Sequence, residues 1–475
     1  MPVTRPSRSD EFAADSSRAI GGPVGAYARR PRRSSALITV LLITTVAMSF
    51  GVLSKNACAA GAWWEGNQAY ANVCESELPQ SYIDLGLAEQ VPPLGEDAGR
   101  YPGPAVSVPT AVVSYVVARM SQAAFGVQDP VDRDDSPVAD VAVDPAVQAE
   151  AVEFTAVAAV LLALAALACA GLLVLTHRHR PWDALGFAAA PVLVLSGLIG
   201  WDLLPAACLC AALWSWSRRR LLLTGVLLGT GAAFSGFPSV VLVVLVLLSL
   251  RAGRGACVLP TVAGALLAWV GINVSAALLG PAGWGRYWSD RIQSAPGTGS
   301  LWEVVAAWGW QADAILANQV LGIGSLVVLV VTGWLAFSTA RRPRVTQLAF
   351  LAVAGILLLV KDAPPQTALW LLPLAVLARP YWRDLLIWQA CEVVYFLAWH
   401  WHLGGFTLGG GTSQDEVYVL AILLRVAGIG WLVAMVIRDI RAPWQDPVRA
   451  DGTVDDPAGG VLDGVQDVRE RRILS

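Results

Sequence analysis

The side chains of this 475-residue chain that are best suited to chemistry gather at the ends of apolar runs. Glu75, Glu77 and Asp84 fall within ten residues of one another, Asp202 opens an apolar run, Asp290 adjoins Arg291, Lys361, Asp362 and Gln366 precede another run, and His400 and His402 close one. A carboxylate set beside a hydroxyl takes its proton. Arginine offers phosphate a bidentate fork and lysine a point charge, which makes Arg291 and Lys361 candidate phosphate partners. Gln366 follows a double proline that stops a helix short and leaves backbone donors and an amide free. Each residue also has a plainer reading. Glu77 suits a solvated loop carboxylate, Asp202 ahead of Pro205 a helix cap, Arg291 and Lys361 snorkelling anchors, and the two histidines interfacial positions. No CxxC or Cys/His metal spacing occurs, so no metal ligands or cofactor are assigned and metal dependence is left open.

The elements that must position these residues are apolar helices. The chain is 56% hydrophobic and 15% charged, with a mean hydropathy of +0.57, far beyond what a soluble domain needs to fill its core. Apolar segments of about 20 residues, the length that crosses a bilayer, recur between short arginine clusters. Spans near 36–54, 151–176, 183–200, 202–217, 221–235, 237–250, 256–279, 313–337, 346–360, 365–379, 384–402 and 417–437 bring the clusters at 177–180, 217–220, 251–254, 341–344, 379–383 and 438–441 to one side. The positive-inside rule makes that side cytoplasmic. The expectation is an all-α, polytopic bundle of about twelve spans in the plasma membrane, with both termini cytoplasmic and the carboxylates outside. Residues 1–35 and 441–475 read as disordered cytoplasmic tails around a membrane domain at 36–440. A cleaved signal peptide is the rival reading of the first apolar run, because "NACAAGA" follows it; an uncleaved helix suits a chain that is itself membrane-bound.

One long external loop, 55–150, carries 14 Asp/Glu against four Lys/Arg. Within it, 104–125 is apolar enough to span, but a crossing there would reverse every later arginine cluster, so it reads as a helix lying at the outer surface. The acidic "DPVDRDDSPVAD" reads as a solvated connector. Cys58 and Cys74 flank a polar segment of 15 residues, and a disulfide between them would close it if it lies outside the cytoplasm. Cys169, Cys208, Cys210, Cys257 and Cys391 sit in apolar runs, where a thiol behaves as a small hydrophobe. Trp63, Trp64, Trp284 and Trp288 read as interface belts first and sugar-stacking platforms second.

The ionisable groups thus stand at span ends, and no convincing inverted repeat is seen, which argues against a transporter. Nothing suggests a nucleic-acid partner. Lys55 and Lys361 are the only lysines among 33 basic residues, and the richness in Ala, Val, Gly and Arg indicates a GC-rich coding sequence of the actinobacterial kind.

The segments "CESELPQSYIDLGL", "RYPG", "WDALGFAAAPVLVLSGLIGWDL", "GVLLGTGAAFSGFP", "GWGRYWSDRIQSAPGTGSLW" and "APPQTALWLLPLAVLARPYWR" with "WQACEVVYF" occur in a telling order. In that order the chain resembles the actinobacterial membrane glycosyltransferases of family 87, which are mannosyltransferase-like and of the type-C fold. The resemblance covers roughly 36–440 and is most specific from Gln366 to Tyr395. It implies transfer of a sugar, mannose in the first instance, from a polyprenyl-phosphate donor to an envelope glycolipid or glycan at the outer face. It further implies inversion, with membrane lipids, donor and acceptor as partners.

By the same resemblance, a carboxylate in the first loop is the general base, and Glu77 holds its position. Relatives read Tyr-Ser-Asp where this chain has Glu75-Ser76-Glu77. Asp202 in "GWDL" matches a motif facing sugar or acceptor, and Arg100 and Tyr101 of "RYPG" join the substrate-binding set with Arg291, Lys361 and Gln366. Relatives carry a glutamate at Arg100 and a lysine at Ser235. These departures keep open a non-catalytic relative that scaffolds envelope assembly or binds lipid-linked sugar. An arabinofuranosyltransferase is the nearest chemical alternative.

Overall fold

The computed structural model describes residues 15–16, 33–93, 100–101, 106–126, 133, 136–177, 179–407, 415–449 and 455–465. Among these residues the secondary structure is helical, without a strand. The helices of eight residues or more begin with α1 (Arg33–Ala59), α2 (Glu77–Asp84), α3 (Val108–Phe125), α4 (Pro145–Thr176), α5 (Leu203–Ser217), α6 (Leu221–Phe234) and α7 (Phe237–Arg251). They continue with α8 (Val258–Leu279), α9 (Pro281–Gln293), α10 (Ala314–Ser338), α11 (Val345–Leu357), α12 (Ala368–Ala378), α13 (Trp382–Leu403) and α14 (Glu416–Arg441).

Local sequence explains where several helices start. Asp144 accepts from Ala146 N at 2.8 Å, ahead of Pro145, to cap α4, and Asp313 accepts from Leu316 N at 2.8 Å to cap α10. Asp415 accepts from Tyr418 N at 2.9 Å to cap α14. These carboxylates satisfy backbone donors that the first turn leaves open. Glycine permits the closest helix contact: a Cβ on Gly225 or Gly229 of α6 would stand 2.0 Å from Thr261 O or 2.2 Å from Ala265 O of α8. Small residues four apart let two backbones approach in this way.

α4, α11 and α12 form the buried centre. α1, α8, α10 and α14 surround it and expose large apolar side chains, among them Leu267 at 69%, Ile323 at 65% and Leu420 at 66%. Such apolar surfaces are compatible with lipid contact.

Among the described residues, five helices are long and apolar enough to cross a membrane: α1, α4, α8 with its preceding turn, α10 and α14. Five more apolar stretches run only 10–17 residues, so helix length does not give the twelve spans expected from sequence. The expected span at 183–200 is instead broken into Pro181–Ala184, Leu185–Ala188 and Pro191–Ser196. Pro191 is the physical reason. It lacks an N–H and disfavours helical ψ in the residue before it, and Ala190 is extended at ψ 123°.

The loop at 55–150 is more structured than its composition suggests. Of the stretch expected at 104–125, residues 104–105 lie outside the described residues; from Val108 it forms α3, which packs on α2, α4, α6 and α8. Gln122 of α3 donates to Tyr82 Oη and Leu87 O, both at 2.8 Å. Within the acidic connector, Arg133 is not solvated: it is buried and bidentate on Glu150 at 3.0 and 2.8 Å. The rest of that stretch before Ser136 lies outside the described residues.

The expectation of a disordered tail after Arg441 fails for its described residues. Asp446 is buried in a bidentate pair with Arg344, at 2.7 and 3.1 Å. Trp216 donates to Gly459 O at 2.9 Å, and Leu462 enters the core. Specific partners on the bundle outweigh a composition that by itself signals disorder. The N-terminal tail lies outside the described residues except at 15–16 and 33–35.

Candidate functional site

The site is built where the start of α2 meets the turn before α5. Ser76 is extended, at φ −150° and ψ 138°, and its hydroxyl both caps α2 through Leu78 N at 3.3 Å and donates to Leu198 O at 2.8 Å. Glu77 N donates to Ile199 O at 2.8 Å. These bonds pin the first residue of α2 against 198–199. On the other side, Cys58 and Cys74 are joined in a disulfide, with their Cα atoms 5.9 Å apart, which fastens the end of α1 to the residues leading into Ser76. Trp63 Nε1 donates to Cys74 O at 3.1 Å, and the buried Lys55 ammonium donates to Glu75 O.

Three of the residues expected at the site converge on Gly200. A Cβ there would stand 3.0 Å from Glu77 Oε2, 3.5 Å from Asp202 Oδ2 and 3.7 Å from Gln366 Nε2. Gln366 Nε2 donates to Glu77 Oε1 at 2.7 Å, and Trp370 Nε1 donates to Asp202 Oδ1 at 2.7 Å. Trp370 is itself fixed by stacking on Phe237, with ring centroids 5.1 Å apart and planes inclined by 15°. Each carboxylate is therefore held through one oxygen, while the other lies toward the glycine.

The electrostatics hold a proton on Glu77 more tightly than on a free carboxyl. Withdrawal from bulk water, then the charge of Asp202, pushes the Glu77 carboxyl up to about 7, against the opposing hydrogen bond from Gln366. Glu77 nevertheless stays exposed, so its carboxyl is open to a partner from outside. Burial likewise raises Glu75 to about 7, against the attraction of Lys55. Burial also raises Asp362, against a hydrogen bond from Thr298 and the charge of Arg291.

The other expected residues do not reach this point. Arg100 bonds Glu89 Oε1 at 3.0 Å, Arg133 O at 3.3 Å and Ser136 O, which braces the loop. Tyr101 is buried against Gly86, and its carbonyl accepts from Arg286 at 2.9 Å. The Lys361 ammonium donates to Ser294 O at 2.9 Å and to Arg291 O, tying the 280–312 loop to the residues before Gln366. Burial, and then Arg291, lowers its pKa. Arg291 itself is exposed and lies 5.8 Å from the centre of the Tyr287 ring. Asp84 accepts from Gln80 at 3.0 Å, His400 lies buried with Nδ1 at 2.9 Å from Phe396 O, and His402 pairs with Asp415 at 2.8 Å.

Sequence reasoning missed four contributors. Gly200 and Trp370 carry no signal of their own in apolar runs. Lys55 did carry one, as one of two lysines in the chain and placed near the end of an otherwise uncharged run. Arg425 completes the support: buried and paired with Glu392 at 3.0 Å, it donates to Ala363 O and, at 2.7 Å, to Thr367 Oγ1, which flank Gln366.

Among the described residues no group of three or more His, Cys, Asp or Glu could hold a metal ion. The arrangement can accept a proton from a hydroxyl presented at the Glu77 and Asp202 edge. No family model and no curated protein matches the chain.

Proposed function

We propose that the chain is an integral membrane glycosyltransferase that moves a sugar, mannose in the first instance, from a polyprenyl-phosphate donor to a hydroxyl of an envelope glycolipid or glycan. The convergence of Glu77, Asp202 and Gln366 on Gly200 carries this reading, because it presents a carboxylate with a pKa of about 7 at an open edge. Such a group is ionised often enough to act as base and basic enough to take the proton. The motif order from 36 to 440 supplies the sugar and the donor class. The arginine clusters at the opposite end of the bundle favour placing this edge outside the cytoplasm, in a multi-pass bundle with both termini inside.

In the proposed reaction the acceptor O–H gives its proton to Glu77 Oε2 as its oxygen bonds the anomeric carbon. The bond from that carbon to the phosphate oxygen breaks, its electron pair leaves on the polyprenyl phosphate, and the centre inverts. Gln366 holds Oε1 so that Oε2 points to the acceptor, and Asp202, fixed by Trp370, binds a sugar or acceptor hydroxyl.

Membranes carrying wild type or Glu77→Gln, given radiolabelled polyprenyl-phosphate mannose and an envelope lipid extract, test the reading. Labelled glycolipid from wild type and a loss of about 100-fold or more in the variant are expected. Equal product from both removes Glu77 from the mechanism. No product from wild type with any polyprenyl-phosphate sugar, arabinofuranose included, turns the assignment to a non-catalytic scaffold.

A further inference from the structure

A groove of about 800 Å³ lies at the arginine-bearing end of the bundle, between the last turns of α10 and α14. Trp334, Leu335, Ser338 and Thr339 form one side, and Ile440, Arg441 and Trp444 the other. Arg341 and Arg449 complete it. Trp334 is 62% exposed and Trp444 76% exposed, and both helices are long and apolar enough to cross a membrane. Exposed tryptophans at helix ends mark the headgroup level of a bilayer. Below them α10 and α14 present Val330, Val331, Leu423 and Leu424 to the outside.

The groove is lined by three guanidinium groups, Arg341, Arg441 and Arg449, of which Arg449 also feels Asp446 and Asp456. One carboxylate, Asp455, serves three guanidinium groups: Arg341 at 3.0 Å, Arg342 at 3.0 Å and Arg449 at 3.2 Å. Arg441 lines the groove, is exposed, and has no ion-pair partner among the described residues. The hydroxyl of Thr339 stands on the same wall, held by Arg251 at 2.9 Å. An apolar trough that ends in arginine and paired tryptophans matches a molecule with acyl chains below and an anion above.

We propose that this groove is a binding site for an anionic glycerophospholipid, with the phosphate at Arg441 and Arg341 and an acyl chain in the gap between α10 and α14, both of which pack on α11. The proposal rests on the membrane embedding of these two helices and is independent of the transfer chemistry at the other end. Bound lipid would tie α10 to α14 and to the folded tail, since Arg341 and Arg449 also hold Asp455.

The test uses the full chain in bilayer discs of phosphatidylglycerol and phosphatidylcholine, released into mild detergent, with retained lipid counted by native mass spectrometry. Wild type is expected to keep phosphatidylglycerol in preference to phosphatidylcholine. Arg441→Gln should weaken that retention about fivefold, the effect of one basic group at a membrane surface. Trp444→Ala should weaken it as well, while Arg254→Gln, which changes an exposed arginine outside the groove, should not. Equal retention of both lipids, or unchanged retention in Arg441→Gln, overturns the proposal. If Arg441→Gln fails to fold, wild type challenged with inorganic phosphate decides: retained phosphatidylglycerol supports the site, and displacement by phosphate overturns its assignment to a lipid.

Discussion

The acids around Arg344 and Arg379 and the acids beside Gly200 meet opposite kinds of partner. At the arginine end, buried acids are met by guanidinium: Arg344 grips Asp446 through two bonds, and Arg379 joins Asp384 at 2.6 Å and also Asp439. Burial disfavours the Asp446 charge, but Arg344 outweighs it and holds the carboxyl below its usual range. At the Gly200 end, Glu77 and Asp202 stand beside the same glycine and receive an amide and an indole N–H from other side chains. There the result is a carboxyl raised to about 7. Full ionic pairing fixes structure, and neutral donors beside a second acid leave a proton free to move.

The contrast can be broken most severely at Arg344, which is completely buried and also donates to Leu377 O and Ala378 O at 2.9 and 2.6 Å. Arg344→Ala should cost about 3–5 kcal/mol by leaving Asp446 buried without its partner. Thermal unfolding of the full chain in detergent measures this loss, and the double variant Arg344→Met, Asp446→Leu should recover much of it. A destabilisation below about 1 kcal/mol would show that the two ends do not differ in this way.

Glu77→Gln should do the reverse, losing about 100-fold or more in sugar transfer with little change in unfolding temperature. Gly200→Ala comes next. Its added Cβ would press Glu77 Oε2 at 3.0 Å, and a shift of a few tenths of an ångström should lower transfer about tenfold while sparing the fold.

The smallest effect is in pH. Since the folded environment raises the Glu77 carboxyl to about 7, it is protonated and idle in mild acid, and transfer should climb as pH rises through that value. Asp202→Asn removes the second cause of the shift, so the limb should move to lower pH by a fraction of a unit. The linked stability has the opposite sign, because a raised carboxyl favours the folded state less as it ionises. The unfolding temperature of Glu77→Gln should therefore gain on wild type between about pH 5 and pH 8.

Much of the candidate site was legible in the sequence. Glu77, Asp202 and Gln366 stood out because charge or amide groups at the mouths of apolar runs are conspicuous. Arg100, Arg291 and Lys361 stood out for the same reason, but Arg100 and Lys361 bond loop atoms and Arg291 stays exposed over Tyr287. A lone sequence position does not reveal which partner a cation will find. The tail after Arg441 misled for a related reason. Its acids and glycines look solvated until Asp446 and Asp456 are seen to bond Arg344 and Val345 N about 100 residues away.

By itself the sequence determined the helical, apolar character of the chain and several helix starts, because apolar runs and the capping aspartates at 144, 313 and 415 act within a few residues of themselves. Only the tertiary structure decided that Glu77 meets Gln366 across 289 positions, that Pro191 breaks a continuous apolar run, and that Asp446 finds Arg344 while Glu77 and Asp202 find an amide and an indole N–H. The physical reason is one of range. Backbone geometry and capping are local, whereas the pairing of a polar group inside an apolar bundle depends on which distant helix end is packed beside it.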